Sequence, residues 1–362
     1  EPHHVAHQPL PPHRAIRLFM VVALAVSVLA GLQIASPAAV EAASQVTSKT
    51  YYVAPNGNDS NPGSKTRPFR TFTYAMQQLR PGDNLFARGG TYVEKAHLRG
   101  SALTPGYPGA RINVRAYPGE RPIIKGMFWL SNADYYTIDG INVTWDPAVN
   151  TSQDVLMRFY GGKGWILRNG ELWGAKGYGA LLIFAGASDW NVNRMYIRDT
   201  MPANGYAQDH LIYVKDTTNG MIEYNLLVNS PNGRGVKLGQ NFDGSLLPKN
   251  VTVRYNTIVN SGAGNISFSY DANSNRAFGN ILVNPGTDWE TFATYYVSGV
   301  GNTVSSNVYW GSDGLVLPGT LIKDAGGNRN IDPMLNSNYK PTNAALKDAN
   351  GIIQYGHYRG QR

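Results

Sequence analysis

The chain has 362 residues, a formal net charge of +8, 40 glycines, 22 tyrosines and no cysteine. That length allows one to three domains, and the missing cysteines exclude a disulfide scaffold, so burial and backbone hydrogen bonds must hold the fold. The basic balance predicts an anionic partner; with no RRM, KH or helix-turn-helix pattern, the expectation is an anionic polysaccharide and no nucleic acid.

In chain order, residues 1–43 read as a signal peptide. Arg14 and Arg17 precede the apolar run "LFMVVALAVSVLAGL", and "ASPAAVEAA" offers a cleavage site near Ala43. The run falls short of the roughly 20 residues that span a bilayer. The expectation is therefore a secreted, extracellular bacterial protein with no membrane contact after signal cleavage.

Residues 44–362 read as a single all-β domain. Its cap, about 49–94, runs strand, loop, short amphipathic helix, strand. That helix, about 71–79, places Phe72, Ala75, Met76 and Leu79 on one face, where it covers an open strand edge.

The coils, about 95–325, follow from internal repeats. "TIDGINVTW", "ILRNGELWG", "NVNRMYIRD", "MIEYNLLVN", "TVRYNTIVN", "RAFGNILVN" and "TVSSNVYWG" align on an anchor position. It is held by Ile141, Gly170, Met195, Asn225, Asn256, Asn280 and Asn307, at intervals of 24–31 residues. Apolar positions three before and two after the anchor predict two short strands joined by a sharp turn. Asparagine suits that turn by tolerating left-handed backbone and by hydrogen-bonding nearby backbone, and the four asparagines should stack as a ladder. A third strand follows in "GALLIFAG", "HLIYVKD", "GVKLG", "NISFSYD" and "YYVSGV". Three short strands in such a repeat make one coil of a parallel β-helix; a helical solenoid fails for want of a 3.6-residue period. Residues 326–362 should close the far end.

The opening "YYVAPNGNDSNPG…PFRTF…QQLRPGDNLFARGGTY", the repeats and the ending "DPM…YKPTNAA" resemble secreted right-handed parallel β-helix proteins of the pectate-lyase-like superfamily. The resemblance covers nearly all of residues 49–350. It implies an asparagine ladder between the second and third strands of each coil. It also implies a polysaccharide bound across the first sheet, which here would contain "HLIYV", "GVKL" and "NISFSY". Lyases, hydrolases, epimerases and non-catalytic adhesins share this scaffold, so function has to come from the site.

Aligning those strands by their inward residues sets Ile212 and Val214 beside Val236 and Leu238, then Ile266 and Phe268. Tyr213, Lys237 and Ser267 then form one outward column. His210 and Arg234 fall in adjacent coils at the strand starts, and Lys215 lies two residues beyond Tyr213. Two connections, 199–209 and 239–250, are longer than a turn requires and flank this patch.

β-Elimination on a uronic acid needs a cation on the carboxylate, a base for the C5 proton and an acid for the leaving oxygen. The catalytic candidates are Lys237 as base, with His210 as its alternate, Arg234 as carboxylate clamp and Tyr213 as donor to the leaving oxygen. Lys215 and Ser267 are candidates for substrate binding. Calcium is a candidate cofactor through Asp209 and Asp243, although no Asp-x-Asp cluster is present. The alternatives are a non-catalytic carbohydrate-binding, adhesin or assembly β-helix, an epimerase, or a glycoside hydrolase, which needs a carboxylate pair. Trp145, Trp173, Trp289 and Trp310 read as packing or coil-edge residues.

Overall fold

A computed structural model describes residues 47–361 except 178, 202–208, 240–247, 287–289, 298 and 317–319. Residues 1–43, the expected signal, lie outside the described residues. Among the described residues, no helix is long and apolar enough to cross a membrane.

Every pairing between the named strands is parallel. Eleven short strands, from Thr50–Val53 to Lys323–Asp324, stack as one sheet. Sixteen more form a second sheet that covers two faces of the coil. Its two halves meet in the ten-residue strand Pro122–Ser131. Ile123–Lys125 pair with Asn142–Thr144 on one face, and Phe128–Ser131 pair with Met157–Tyr160 on the other. The strand bends between them at Gly126, where φ is 144° and a Cβ would lie 2.2 Å from the carbonyl oxygen of Glu94. Only glycine fits there. The result is the expected three-strand coil, an all-β right-handed parallel β-helix.

Strand alternation fills the interior. Ile212, Val214, Val236, Leu238, Ile266 and Phe268 are all fully buried, in the register Ile212–Val236–Ile266 and Val214–Leu238–Phe268. Aromatic rings continue the stacking: Trp165 lies 3.9 Å from Phe159 and 5.4 Å from Trp190, centroid to centroid. At the start, the helix Phe72–Gln77 buries Phe72, Ala75 and Met76. Thr71 caps it, and the Glu94 carboxylate accepts from the backbone N–H of Phe72 and Thr73 at 2.8 and 3.2 Å. The last segment lies along the outer flank of the late coils, where Leu346 joins Val259, Ile281, Val283 and Val308.

The asparagine ladder forms between the sheets. Asn225, Asn256, Asn280 and Asn307 are fully buried. Each Nδ2 donates to Oδ1 of the next asparagine, at 2.9, 3.0, 2.9 and 2.9 Å, and the series continues one step further, to Asn328. Of the two expected reasons for asparagine, hydrogen bonding to nearby backbone holds, since the same amides also donate to the carbonyls of Val192, Ile222, Val253 and Ala277, but left-handed backbone does not. The left-handed residue is the one before it: Tyr224, Tyr255, Gly279 and Ser306, with φ of 56°, 53°, 67° and 51°. Asparagine is required instead because its amide both donates and accepts along the stack, satisfying buried polar groups.

Candidate active site

The strand Val236–Leu238 follows Gly233, Arg234 and Gly235, and both glycines serve close approach rather than a special turn. A Cβ on Gly233 would lie 2.6 Å from the carbonyl carbon of Asp209, and one on Gly235 2.3 Å from Cγ2 of Ile258. The chain between them is thereby held tightly between the preceding coil at Asp209 and the following coil at Ile258. The backbone N–H of Arg234 donates to Nδ1 of His210 at 3.1 Å, and its carbonyl accepts from the N–H of Leu211 at 3.0 Å.

The outward column matches the sequence alignment, with Tyr213 opposite Lys237 and Lys237 opposite Ser267. Its members differ in exposure. Lys237 is half-buried, and its ammonium lies 4.8 Å from the centroid of the Tyr213 ring. Burial, then the charges of Arg234 and Lys215, lower its pKa to about 7. Arg234 is 8% exposed and Lys215 is half-buried. The three cations therefore converge on one patch.

His210 is only 1% exposed. Because Nδ1 accepts a hydrogen bond, the neutral ring carries its proton on Nε2. Burial, Lys237 and Arg234 hold its pKa well below the ordinary histidine value. Its ring meets Tyr213 edge-on at 5.2 Å. Tyr213 is 5% exposed and packs with Val155 and Leu182.

His210, expected as the alternate base, is therefore closed to a ligand, and so are two further expected positions. Ser267, expected to bind substrate, is fully buried and shares a 2.8 Å hydrogen bond with Ser269. An outward register therefore did not make it accessible. Asp209, expected near a metal, is also fully buried; its Oδ2 accepts from Thr200 Oγ1 at 3.3 Å. Its backbone oxygen accepts from Thr200 and Ser230 at 2.6 and 2.8 Å. Burial raises the pKa of its carboxyl, whereas calcium takes several ionised or carbonyl oxygens. Asp243 lies outside the described residues, as does Trp289. Among the described residues no group of three histidines, cysteines or acids is placed to hold a metal. Asp209, the described member of the expected pair, is a poor calcium ligand.

Sequence reasoning missed the earlier coils of the same face. The column continues from Tyr213 through Leu182 and Arg158 to Trp129 and His97. The usable signal was alternation: in "LMRFY", Met157 and Phe159 point inward and force Arg158 outward. Arg254, the other basic residue of this region, belongs to a different sheet and pairs with Glu223 at 2.7 Å.

Residues 51–165 match the family model described as "Pel9A-like, right handed beta helix region". The chain is 33% identical over 113 residues to "Pectate lyase L" of Dickeya dadantii (strain 3937), covering 27% of each. It is 38% identical over 86 residues to "Uncharacterized protein YwoF" of Bacillus subtilis (strain 168), 24% of this chain and 17% of that protein. The matches thus span between 17% and 27% of these relatives' lengths. A solved structure titled "Glycoside hydrolase" superposes with a TM-score of 0.51 at 10% identity, covering 77% of this chain and 96% of that one. At that identity the likeness is one of fold.

Proposed function

We propose that this right-handed parallel β-helix, similar over residues 51–165 to the Pel9A-like family model, has polysaccharide lyase activity: β-elimination on a uronic-acid-containing chain, with Lys237 as the base. The observation that carries this reading is a half-buried outward lysine whose pKa falls to about 7 beside Arg234 and Lys215. A general base works best when its pKa lies near the working pH.

In this reading Arg234 and Lys215 neutralise the uronate carboxylate, which makes the C5 proton removable. The neutral amine of Lys237 takes that proton. The electron pair left on C5 forms the C4–C5 double bond, and the glycosidic oxygen leaves C4 and is protonated by water. Both charges are supplied by side chains in this reading. His210, buried and fastened to the backbone of Arg234, sets the position of that strand; Tyr213 forms the aromatic floor under the ammonium. Export to the place where acidic polysaccharides are met belongs to the same reading.

The test is ultraviolet absorbance of the unsaturated product with pectate, alginate and glycosaminoglycans. No rise with any of them would falsify the lyase reading. Binding without such a rise would identify a non-catalytic carbohydrate-binding protein instead. Reducing ends released without unsaturation would point to a hydrolase.

A further inference from the structure

A second basic cluster lies on the same face, three strand spacings from Lys237, or about 14 Å, by the register Lys237–Tyr213–Leu182–Arg158. Its centre is the half-buried indole of Trp129, between His97 and Arg158 in the column. The guanidinium carbons of Arg99 and Arg158 lie 4.0 and 4.2 Å from the indole centroid. The His97 ring lies 4.2 Å from it, and its Nε2 accepts from Arg99 Nε at 2.6 Å. Burial and both arginines lower the pKa of His97, so this imidazole is neutral.

The charges of this cluster are unevenly matched. Lys95 pairs with Asp154 at 2.7 Å. Arg88, Arg121, Arg168, Arg198 and Arg254 each bond a carboxylate elsewhere on the coils. Arg99 is different: it is exposed, and it rests on an imidazole and an indole, both uncharged. An aromatic face holds a guanidinium in place without consuming its donors, and a planar guanidinium with free edges binds carboxylates in bidentate fashion.

We propose that Arg99, held on Trp129 and backed by Arg158, forms a second anion-binding subsite for a carboxylate further along the same polymer. The inference rests on the proposed reading of an acidic polysaccharide as ligand. Between the two charged positions Leu182 and Tyr213 are buried with Val155, a rigid apolar support that keeps the two cationic positions at a fixed separation. A chain lying along the coil axis would meet one cationic position and then the other.

The experiment is calorimetric titration of hexagalacturonate into the Lys237→Ala protein, as the non-cleaving background, with and without Arg99→Gln. Arg99 is exposed, so the substitution removes its surface stack on Trp129 and leaves the core untouched. The dissociation constant should rise about tenfold at low salt, the equivalent of one charge-assisted pair, with a smaller rise at high salt. Arg99→Lys should recover only part of it, because the ammonium lacks the bidentate edge. An uncharged galactose hexamer should show no difference between the proteins. Equal hexagalacturonate affinities with and without Arg99→Gln would overturn the subsite, whatever the wild-type protein does in the elimination assay. Arg99-dependent binding by a protein that never eliminates would leave the subsite standing and remove the lyase reading.

Discussion

The ammonium of Lys237 lies 4.8 Å from the ring centroid of Tyr213, its register partner one coil away. The two residues pull the lysine in opposite directions. The ring face attracts the charged form, while burial and the neighbouring cations Arg234 and Lys215 disfavour it. The second influence wins, and the amine titrates near pH 7. A lysine that loses its proton so early is suited to proton abstraction.

If this lysine is the base, Lys237→Ala should lower the elimination rate by about 100-fold or more, the usual range for general base catalysis. Lys237→Arg should fail as badly, because a guanidinium keeps its proton. Both variants should retain the β-rich circular dichroism of the parent. Full activity in either would remove Lys237 from the mechanism.

The pH profile follows from the same shift. The working form is the neutral amine, so kcat/KM should rise with pH through about 7 and level off above it. Lys215→Ala removes one of the neighbouring charges that depress the lysine, and should move the rising limb towards alkaline pH. A limb that stays in place would show that Lys215 does not act on the base.

Stability should respond to acid through two histidines, the buried His210 and the half-buried His357. His357 has its pKa lowered by burial to about 4, and that of His210 is also depressed. Their folded values lie below the unfolded value near 6.5. As pH falls below 6.5 the unfolded chain takes up protons first, so stability is lost, by up to about 1.4 kcal/mol per pH unit for each such group. For His357 the loss runs from about 6.5 down to about 4. Denaturant melts across this range should show the slope, and His357→Phe should reduce it.

Gly235→Ala should destabilise the fold although the backbone there is not left-handed. The new Cβ would meet Cγ2 of Ile258 at 2.3 Å and the oxygen of Asn265 at 2.6 Å. Overpacking of this kind costs about 1–3 kcal/mol, measurable by urea unfolding. No change would mean that the two coils can separate at little cost.

The ladder gives a graded comparison. Asn256→Ala removes an oxygen that accepts from both the backbone and the amide of Asn225, at 3.0 and 2.9 Å. Two buried donors lose their partner, at a cost on the order of 3 kcal/mol. Asn328, at the end of the ladder and only half-buried, should cost less when changed to alanine. Equal losses at the two positions would argue against a continuous stack.

The sequence by itself determined which side chains enter the coil. Period-two alternation and the repeated anchor placed Ile212, Val236 and Ile266 in one register and set Asn225, Asn256, Asn280 and Asn307 in a column, because parallel in-register stacking puts equivalent residues above one another. It also brought Tyr213, Lys237, Arg234 and His210 together. The tertiary structure decided how open those positions are and which distant residues share the face. Ser267 and Lys237 have the same outward register, yet one is fully buried and the other half-buried. Trp129 and Arg99 belong to coils with no anchor motif, and the strand of Arg158, which follows the Ile141 repeat, was left out of the third-strand alignment, so none of the three was placed beside Lys237. Strand direction follows from local stereochemistry and is written in each repeat. Exposure and charge environment depend on neighbours from other coils, and these are fixed only when the coils stack.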